Sequence, residues 1–333
     1  MQRPYPSFAE LPVNKSGPRG NAWGLWGNDD QLGTLNHLTA ERVRDGCREV
    51  TTGDRVSLNW QLEGATNPRF QYPRNNLHVN MINKEPRVAA FDDEWSFNTQ
   101  CSSQWDGCRH YAYQEERLFY MGRKASDFEE SPEPSGIHHM AKKGVAGRAF
   151  FVDWYRWKME IKKEKVDAFS SHAIPFSELL AAADHQGTPL ASIQPGSILI
   201  IRSGYINQYN HMPEAKRTEL DTIYQHTKPS NIGVQASQEF LSFLWENRVA
   251  AVAGDSRSFE VWPCKDEDKK WQLHQWLLAG WGMPIGELWD LEELSRICTE
   301  QNEGKGRWSF FLTSAPMNVK GGVASPPNAL AFF

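Results

Sequence analysis

The segment GSILIIRSG, residues 196–204, decides the fold. Its apolar run is preceded by Pro195 and closed by Gly204, and a short apolar run between such residues is typical of a buried β-strand. We take this strand as the centre of the predicted structure.

Helices and strands alternate around this segment. A helix is predicted just before it, over residues 174–187, with Ser177 as the N-cap and Gly187 as the stop signal. After it, a helix over 236–247 leads into the apolar strand 249–255. A helix followed by a buried strand, twice in succession, predicts an α/β fold.

The remaining segments extend one domain. Residues 40–50 are predicted to form a helix with Thr39 as its N-cap, and residues 54–62 alternate like a strand. Residues 64–94, rich in Asn, Pro and Arg, are predicted to form a long loop or lid. With no internal repeat or clear linker, we expect a catalytic domain over 23–333 and an N-terminal arm over 1–22 that lies on another surface, a second subunit being one candidate.

Net charge and hydropathy limit the classes of partner that this chain is expected to bind. The 333 residues carry a formal net charge of −5 and no long run of lysine or arginine, which argues against binding to nucleic acid or an anionic membrane. No window approaches the roughly 18 apolar residues of a membrane span, and the N-terminus lacks the apolar stretch of a signal peptide. We therefore expect a cytoplasmic protein that binds a small molecule.

Cysteine and tryptophan leave some chemistry open. The five cysteines are scattered and form no C-x-x-C pair, which argues against a disulfide framework or a thiolate zinc site. A nucleophilic thiol at Cys101 or Cys108 stays open beside the commoner role of a small buried side chain. The 14 tryptophans can line a pocket for a flat ligand or pack the core.

The stretch FNTQCSSQWDGCRHY, residues 97–111, holds the candidate site. Gln100, Gln104, Asp106 and His110 are separated by even numbers of residues, so in an extended chain or turn they project to one side. Two interpretations remain open. The four side chains form a reaction centre or metal site, or they form a hydrogen-bonded cluster that holds a loop together.

Five segments in order resemble the cyclase family that contains bacterial kynurenine formamidase and isatin hydrolase. They are WGNDDQLGTLNHLT (26–39), GVAGRAFFVDW (144–154), PGSILIIRSG (195–204), VAAVAGDS (249–256) and GGVASP (321–326). The family signature H-x-G-T-H-x-D-x-P-x-H falls on residues 100–110. The resemblance implies a single α/β domain with a mixed β-sheet flanked by helices, in the family's swivelling β/β/α arrangement. It also implies a homodimer or higher homo-oligomer with the active site near a subunit contact.

The resemblance assigns roles within the signature. In the family, the first two histidines and the aspartate hold a divalent metal, and the last histidine is an acid/base near the activated water. This implies Asp106 as a metal ligand and catalytic residue, and His110 as the acid/base. Gln100 and Gln104 stand where the family has histidine, and an amide oxygen is a weak ligand for zinc that suits harder ions. Tight zinc binding is not expected, so manganese, zinc or no metal all remain open.

Some family members bind a second metal through the same aspartate with a downstream histidine and glutamate. The segment HQWLLAGWGMPIGE places His274 and Glu287 at about those positions. A histidine among apolar helix residues is otherwise a core residue with one hydrogen bond. We also assign Ser103 and Trp105, next to Gln104, to substrate binding.

Three functions follow. The first is a hydrolase that opens a cyclic amide, a lactone or an acyl amide of a small aromatic or carbonyl-bearing compound, of the kind found in secondary metabolism or xenobiotic breakdown. The second is a metal-independent lyase, dehydratase, isomerase or cyclase, in which Asp106 and His110 act as acid and base and Gln100 and Gln104 hold the substrate oxygen. The third is an inactive binding protein that keeps the fold and an aromatic pocket.

Overall fold

The apolar run at the centre of the sequence forms the middle strand of a mixed β-sheet. The computed structural model describes residues 5–65, 74–75, 77–301 and 304–333. Its strands are β1 Arg55–Ser57, β2 His78–Asn83, β3 Phe91–Ser96, β4 Gln104–Asp106, β5 Val145–Val152, β6 Ala173–Ile174, β7 Ile198–Ile201, β8 Gly233–Val234, β9 Ala251–Gly254, β10 Ile285–Glu287, β11 Ser309–Ser314, β12 Ala324–Ser325 and β13 Ala329–Phe332.

The helices are short. They are α1 Ala40–Cys47, α2 Ala125–Glu130, α3 His138–Lys143, α4 Trp154–Arg156, α5 Phe176–His185, α6 Tyr205–Asn210, α7 Glu214–Tyr224, α8 Gln238–Glu246 and α9 Glu292–Glu300, and Gln275–Trp281 forms a π-helical segment. None of the helices in the described ranges has both the length and the apolar character needed to cross a membrane.

The main sheet combines a parallel centre with antiparallel sides. Its strand order is β1-β13-β11-β5-β7-β9-β10-β4-β12. Strands β5, β7, β9 and β10 run parallel, while β11 and β13 on one side and β4 and β12 on the other pair antiparallel with their neighbours. The carboxyl ends of the parallel strands therefore lie at one edge, where ligands bind in many α/β proteins.

Two apolar cores cover the two faces of this sheet. Side chains alternate along a strand, so Leu199 and Ile201 of β7 join the core that also contains residues of α5 and α8. Ile198 and Ile200 join the opposite core with residues of α9. A strand covered on both faces needs apolar side chains at every position, which explains the uninterrupted run of β7. The predicted single α/β domain, a mixed sheet flanked by helices, is confirmed.

The helix predictions hold with corrected ends. Helix α1 begins after Thr39, whose side chain accepts a hydrogen bond from the Arg42 backbone N–H, as predicted. Helix α5 begins at Phe176 with Pro175 as its N-cap, so the prediction of Ser177 as the cap was wrong. Ser177 lies inside the first turn because Pro175 has no N–H and its restricted φ suits the start of a helix.

Two other predictions need correction. The strand expected over 54–62 is only Arg55–Ser57. The loop or lid expected over 64–94 contains the antiparallel hairpin of β2 and β3, while residues 66–73 and 76 lie outside the described residues. Alternation was the missed signal, since Val79, Met81, Phe91 and Trp95 fall on one face of this hairpin in its register.

The described part of the N-terminal arm packs on its own chain. The Tyr5 ring stacks on Trp245 with centroids 4.7 Å apart, and the Phe8 ring stacks on Trp276 with centroids 5.5 Å apart. The arm thus packs on Trp245 and on the tryptophan-rich segment 271–281. This accounts for part of the tryptophan content through packing.

The buried face of β4 gives a stability prediction. Trp105 is fully buried, packs against Trp289 and donates an N–H to the Ser314 hydroxyl. Trp105→Ala is expected to lower the free energy of unfolding by about 3–5 kcal/mol, because it leaves a cavity in the core. Met317→Ala, at an apolar side chain that is 47% exposed, is the control and is expected to cost less than about 0.5 kcal/mol. Equal losses in urea unfolding would contradict the packing described.

Candidate active site

The signature residues lie at the edge of the sheet where β10 ends. Strand β4 runs antiparallel to β10, so Gln104 faces Glu287 and Asp106 faces Ile285 in register. Gln100 lies in the turn before β4, and His110 lies in the turn after it, where its N–H bonds to the Gly107 carbonyl. The signature is therefore a turn, a short strand and a second turn. Its polar side chains converge, although the even spacing applies only to Gln104 and Asp106 on the strand.

One amide connects the two residues predicted to carry the chemistry. The Nε2 of Gln100 lies 2.9 Å from Asp106 Oδ1 and 2.6 Å from His110 Nδ1. An amide nitrogen has two hydrogens, and this arrangement uses both. Since Nδ1 of His110 accepts, the neutral ring carries its proton on Nε2, which lies 3.7 Å from Asp106 Oδ2. Gln100 thus sets both the orientation of the His110 ring and its tautomer.

The second glutamine holds the carboxylate of the facing strand. Gln104 Nε2 donates to Glu287 Oε2 at 2.7 Å and lies 3.5 Å from Asp106 Oδ1. Gln104, Asp106 and Glu287 are each buried. Residues far apart in sequence meet here because the register of β4 and β10 places them opposite one another.

His274 is clamped between two carboxyl groups. Its Nδ1 lies 2.5 Å from Glu260 Oε1 and its Nε2 lies 3.2 Å from Glu287 Oε1. Glu260 also accepts the backbone N–H groups of Leu273 and His274. A histidine that donates one N–H to a carboxylate keeps its other nitrogen aimed at a fixed point. Glu260 thereby holds the His274 ring so that its Nε2 points toward Glu287 and Asp106.

Burial shifts the ionisation of these groups in opposite directions. Burial and the nearby Glu287 carboxylate raise the pKa of Asp106 well above its usual value. Burial alone would lower the pKa of His274, but the hydrogen bonds to Glu260 and Glu287 outweigh it, so the net pKa is well above the usual value. Burial, with the positive charges of His274 and Arg74, lowers the pKa of His110 to about 3. His110 is therefore neutral near pH 7.

A cavity of about 370 Å³ opens onto this group. Its walls include His110, His274 and Glu287 from the site, together with Arg74, Tyr111, Lys228, Pro229, Arg257, Ser258 and Trp262. The Tyr111 ring lies 5.2 Å and the Trp262 ring 6.5 Å from the His274 ring, measured between centroids. A cavity of this size with aromatic walls fits one small organic molecule.

The donor set can accommodate a divalent metal. Asp106, His110 and His274 each offer a ligand atom, and these atoms lie within 4.8 Å of one another. Gln104 Oε1 and Asp106 Oδ2 are buried and accept no hydrogen bond from any described part of the chain. Buried oxygen lone pairs of this kind require a proton or a cation. The neutral amide oxygen of Gln104 is a weak ligand for zinc and suits a harder ion better.

Ser103, Trp105 and Cys108 belong to the signature but are not among the described residues that line the cavity. Ser103 accepts the Trp60 N–H and donates to the Leu288 carbonyl, and Trp105 lies in the core on the far face of the sheet. Neither is among the described residues that line the cavity, so their assignment to substrate remains a prediction without a contact. Burial raises the pKa of Cys108 to about 12, which removes this thiol as a thiolate nucleophile near pH 7.

Sequence reasoning missed the residues that complete the site. Glu260 follows strand β9 by six residues, and Arg257 by three. Polar residues just after a buried parallel strand are the available signal, because the carboxyl ends of such strands form ligand sites. Arg74 gave no signal, since its donation of an N–H to the Gln100 carbonyl depends on the path of the chain between β1 and β2.

Comparisons with known proteins identify a family and several similar structures. A family model described as "Putative cyclase" matches residues 35–261. The crystal structure of a novel cyclase is 27% identical, covers 94% of this chain and 99% of its own, and has a TM-score of 0.77. Isatin hydrolase A from Labrenzia aggregata, bound to benzyl benzoate, is 13% identical, covers 90% of this chain and 98% of its own, and has a TM-score of 0.55.

Isatin hydrolase A from Ralstonia solanacearum is similar to the same extent. It is 14% identical, covers 89% of this chain and 96% of its own, and has a TM-score of 0.52. No protein with a curated description matches significantly. These likenesses extend over most of the chain and confirm the predicted fold.

The role of Gln100 can be separated from its structural contribution. Gln100→Ala is expected to lower turnover per folded molecule about 10- to 100-fold, because His110 loses the bond that fixes its ring and tautomer. Gln208→Ala is the matched control, since the Gln208 amide also makes hydrogen bonds, to the Ala168 N–H and the Val166 carbonyl. Both variants should lose about 1–3 kcal/mol of stability. Unchanged turnover in Gln100→Ala would show that this residue only holds the loop.

Proposed function

Because the chain belongs to the cyclase family, we propose that it is a hydrolase that opens a cyclic amide, a lactone or an acyl amide of a small carbonyl compound. The observation that carries the proposal is the hydrogen-bonded group of Gln100, Asp106 and His110 at a cavity large enough for such a compound. A structure with a related fold is an isatin hydrolase bound to the product analogue thioisatinate, which supports the choice of substrate class.

His110 polarises the substrate carbonyl. Its neutral ring carries a proton on Nε2 and lines the cavity, so this N–H can donate to a carbonyl oxygen and to the oxyanion that develops from it. The low pKa of His110, about 3, keeps the ring neutral and therefore makes it a hydrogen-bond donor instead of a permanent cation. When the C–N or C–O bond breaks, His110 Nε2 passes its proton to the leaving nitrogen or oxygen and takes up in exchange the proton that Asp106 Oδ2, 3.7 Å away, accepted from the water.

Asp106 accepts the proton of the attacking water. Its Oδ2 is buried without a hydrogen-bond donor from the described chain, and it lies 3.7 Å from His110 Nε2. A carboxylate whose pKa is raised by burial is a stronger base than an ordinary aspartate. Asp106 and His110 thus provide a base and a donor on the two sides of one short gap, with Gln100 fixing both.

The residues also fit a hard divalent ion such as manganese. Asp106 and His274, whose ligand atoms lie within 4.8 Å of one another, would hold it together with the buried oxygens of Glu287 and Gln104. Glu260 would orient His274. When bound, such an ion supplies Lewis-acid polarisation of the carbonyl and lowers the pKa of water. The chain's own contribution remains the orientation of substrate and the movement of protons at His110 Nε2 and Asp106 Oδ2.

A second candidate function is a metal-independent lyase, dehydratase, isomerase or cyclase. It is favoured by the clamp on His274, because the raised pKa of this imidazole provides a positive charge between Glu260 and Glu287 without a metal. Asp106 and His110 would then act as base and donor without a hydrolytic water. The mass of the product separates the two functions, since hydrolysis adds one water.

We also propose a cytoplasmic homodimer or higher homo-oligomer, as the family resemblance implies. An exposed apolar face on the β2–β3 hairpin supports this. Met81, Phe91 and Trp95 are 65%, 62% and 58% exposed, which is unusual for large apolar side chains on one surface.

The proposal predicts a specific loss of activity. Incubation with a panel of cyclic amides, lactones and acyl amides in ¹⁸O-water should give a product that carries the label from one added water. Asp106→Asn and His110→Ala should each lower the rate by roughly 100-fold or more, with the fold intact by circular dichroism. Conversion without label would favour the lyase or isomerase. No conversion of any compound in the panel, with the protein folded, would contradict the hydrolase.

The pH profile of the same reaction tests the two roles. Asp106 works as its carboxylate, so kcat/KM should rise with pH through the raised pKa of this group. His110 is neutral at every pH well above about 3, so it should contribute no inflection near pH 6.5. An inflection near pH 6.5 that disappears in His110→Gln would contradict a neutral donor.

A further inference from the structure

The cavity has a cationic wall. Besides the site residues, the described residues that line it include Arg74, Arg257 and Lys228, and the only carboxylate among them is Glu287. Glu287 is already paired with His274 and Gln104. The whole chain has a formal net charge of −5, so this wall departs from the character of the molecule. Like charges brought together in a partly enclosed space favour an anion between them.

Each cation is placed by a different part of the fold. Arg74 Nη1 donates to the Gln100 carbonyl at 3.0 Å, which holds the guanidinium beside the signature. Arg257 follows β9 at the carboxyl edge of the parallel strands. Lys228 is exposed at the cavity rim. Burial and the charge of Arg74 lower the pKa of Arg257, which agrees with two guanidinium groups that face the same space.

We infer that the substrate carries a carboxylate in addition to the carbonyl that is attacked, and that Arg74, Arg257 and Lys228 bind this carboxylate. For the other part of the substrate, the carbonyl group on which His110 and Asp106 act, the inference rests on the proposed function. Guanidinium groups match a carboxylate in shape and bind it through paired N–H donors. Tyr111 and Trp262, whose rings flank His274, cover the apolar body of the molecule.

The arrangement has a chemical consequence for specificity. A carboxylate held at the cationic wall fixes one end of the substrate, so the carbonyl is presented to His110 at a defined distance along the cavity. A neutral analogue of the same shape loses these charge-assisted bonds. The cationic wall thus selects acidic over neutral compounds, while His110 and Asp106 act on the carbonyl.

Binding of benzoate and its neutral isostere benzamide tests the inference without requiring turnover. Quenching of tryptophan fluorescence, with isothermal titration calorimetry, should show that benzoate binds the wild-type protein roughly tenfold or more tightly than benzamide. Arg257→Gln and Arg74→Gln should each remove most of this preference. Lys228→Gln, at the exposed rim, should reduce it by a smaller factor that shrinks further at high salt.

The controls separate the possible outcomes. Arg48→Gln changes an arginine whose side chain is 81% exposed on the surface and should leave the preference unchanged. Because Lys228 is exposed, its variant is expected to fold even if a variant of one of the half-buried arginines does not. Equal binding of benzoate and benzamide, or a preference that survives all three cavity variants, would overturn the inference. Inorganic phosphate that binds as tightly as benzoate would also overturn it, since the wall would then be a general anion site.

The result is independent of the proposed reaction. A benzoate preference that depends on the cavity cations, in a protein that converts nothing in the hydrolase panel, would keep the carboxylate site and remove the hydrolase. Hydrolysis of neutral compounds with no carboxylate preference would do the reverse.

Discussion

The buried carboxyl groups at the end of the parallel sheet are the constraint on which the rest of the site depends. Asp106, Glu260 and Glu287 are all nearly fully enclosed, and an isolated buried carboxylate is too costly to persist. Hydrogen-bond donors in the same buried region offset this cost. The amides of Gln100 and Gln104 and the ring of His274 together supply N–H groups to all three.

These donors do not satisfy every buried oxygen of the group, and the remaining oxygens are important for the proposed function. Asp106 Oδ2 and Gln104 Oε1 keep lone pairs with no donor from the described chain, and Asp106 Oδ2 lies 3.7 Å from Nε2 of His110, which lines the cavity. An oxygen in this state takes up a proton, a water hydrogen or a cation. In the proposed function, the same feature lets Asp106 act as the base and gives the group an oxygen that would hold a hard metal ion. The atoms that keep the buried group together are thus also the atoms proposed to react.

Charge is also divided within the cavity. Of the described residues that line it, Glu287 on β10 carries a carboxyl group, while Arg74, Arg257 and Lys228 are cations. An acidic substrate would be attracted to these cations and repelled by Glu287, which orients it before any chemistry occurs. His110, which is neutral near pH 7, adds no permanent charge to this lining.

Much of the fold was predictable from local sequence, and much of the site was not. The apolar run of β7 and the Thr39 cap of α1 act through neighbours in the chain, and both were correctly predicted. The even spacing accounts for Gln104 and Asp106, which share one face of β4, whereas Gln100 and His110 reach the same point from the turns on either side. Arg74 could not be identified, because its role depends on long-range pairing between segments that carry no shared local pattern. Glu260 was missed although its place after strand β9 was an available signal. The β2–β3 hairpin was missed because its polar composition resembled a loop.

The most direct test of this account is elemental analysis of the purified protein by plasma mass spectrometry, after manganese loading and gel filtration without chelator, on the wild type and on Asp106→Ala. We predict close to one equivalent of manganese, with little zinc, in the wild type and its loss in Asp106→Ala, since Asp106 provides the unpartnered oxygen. A wild type that retains no divalent ion would contradict a metal-holding site, and the buried carboxyl groups would then be compensated by the proton on His274.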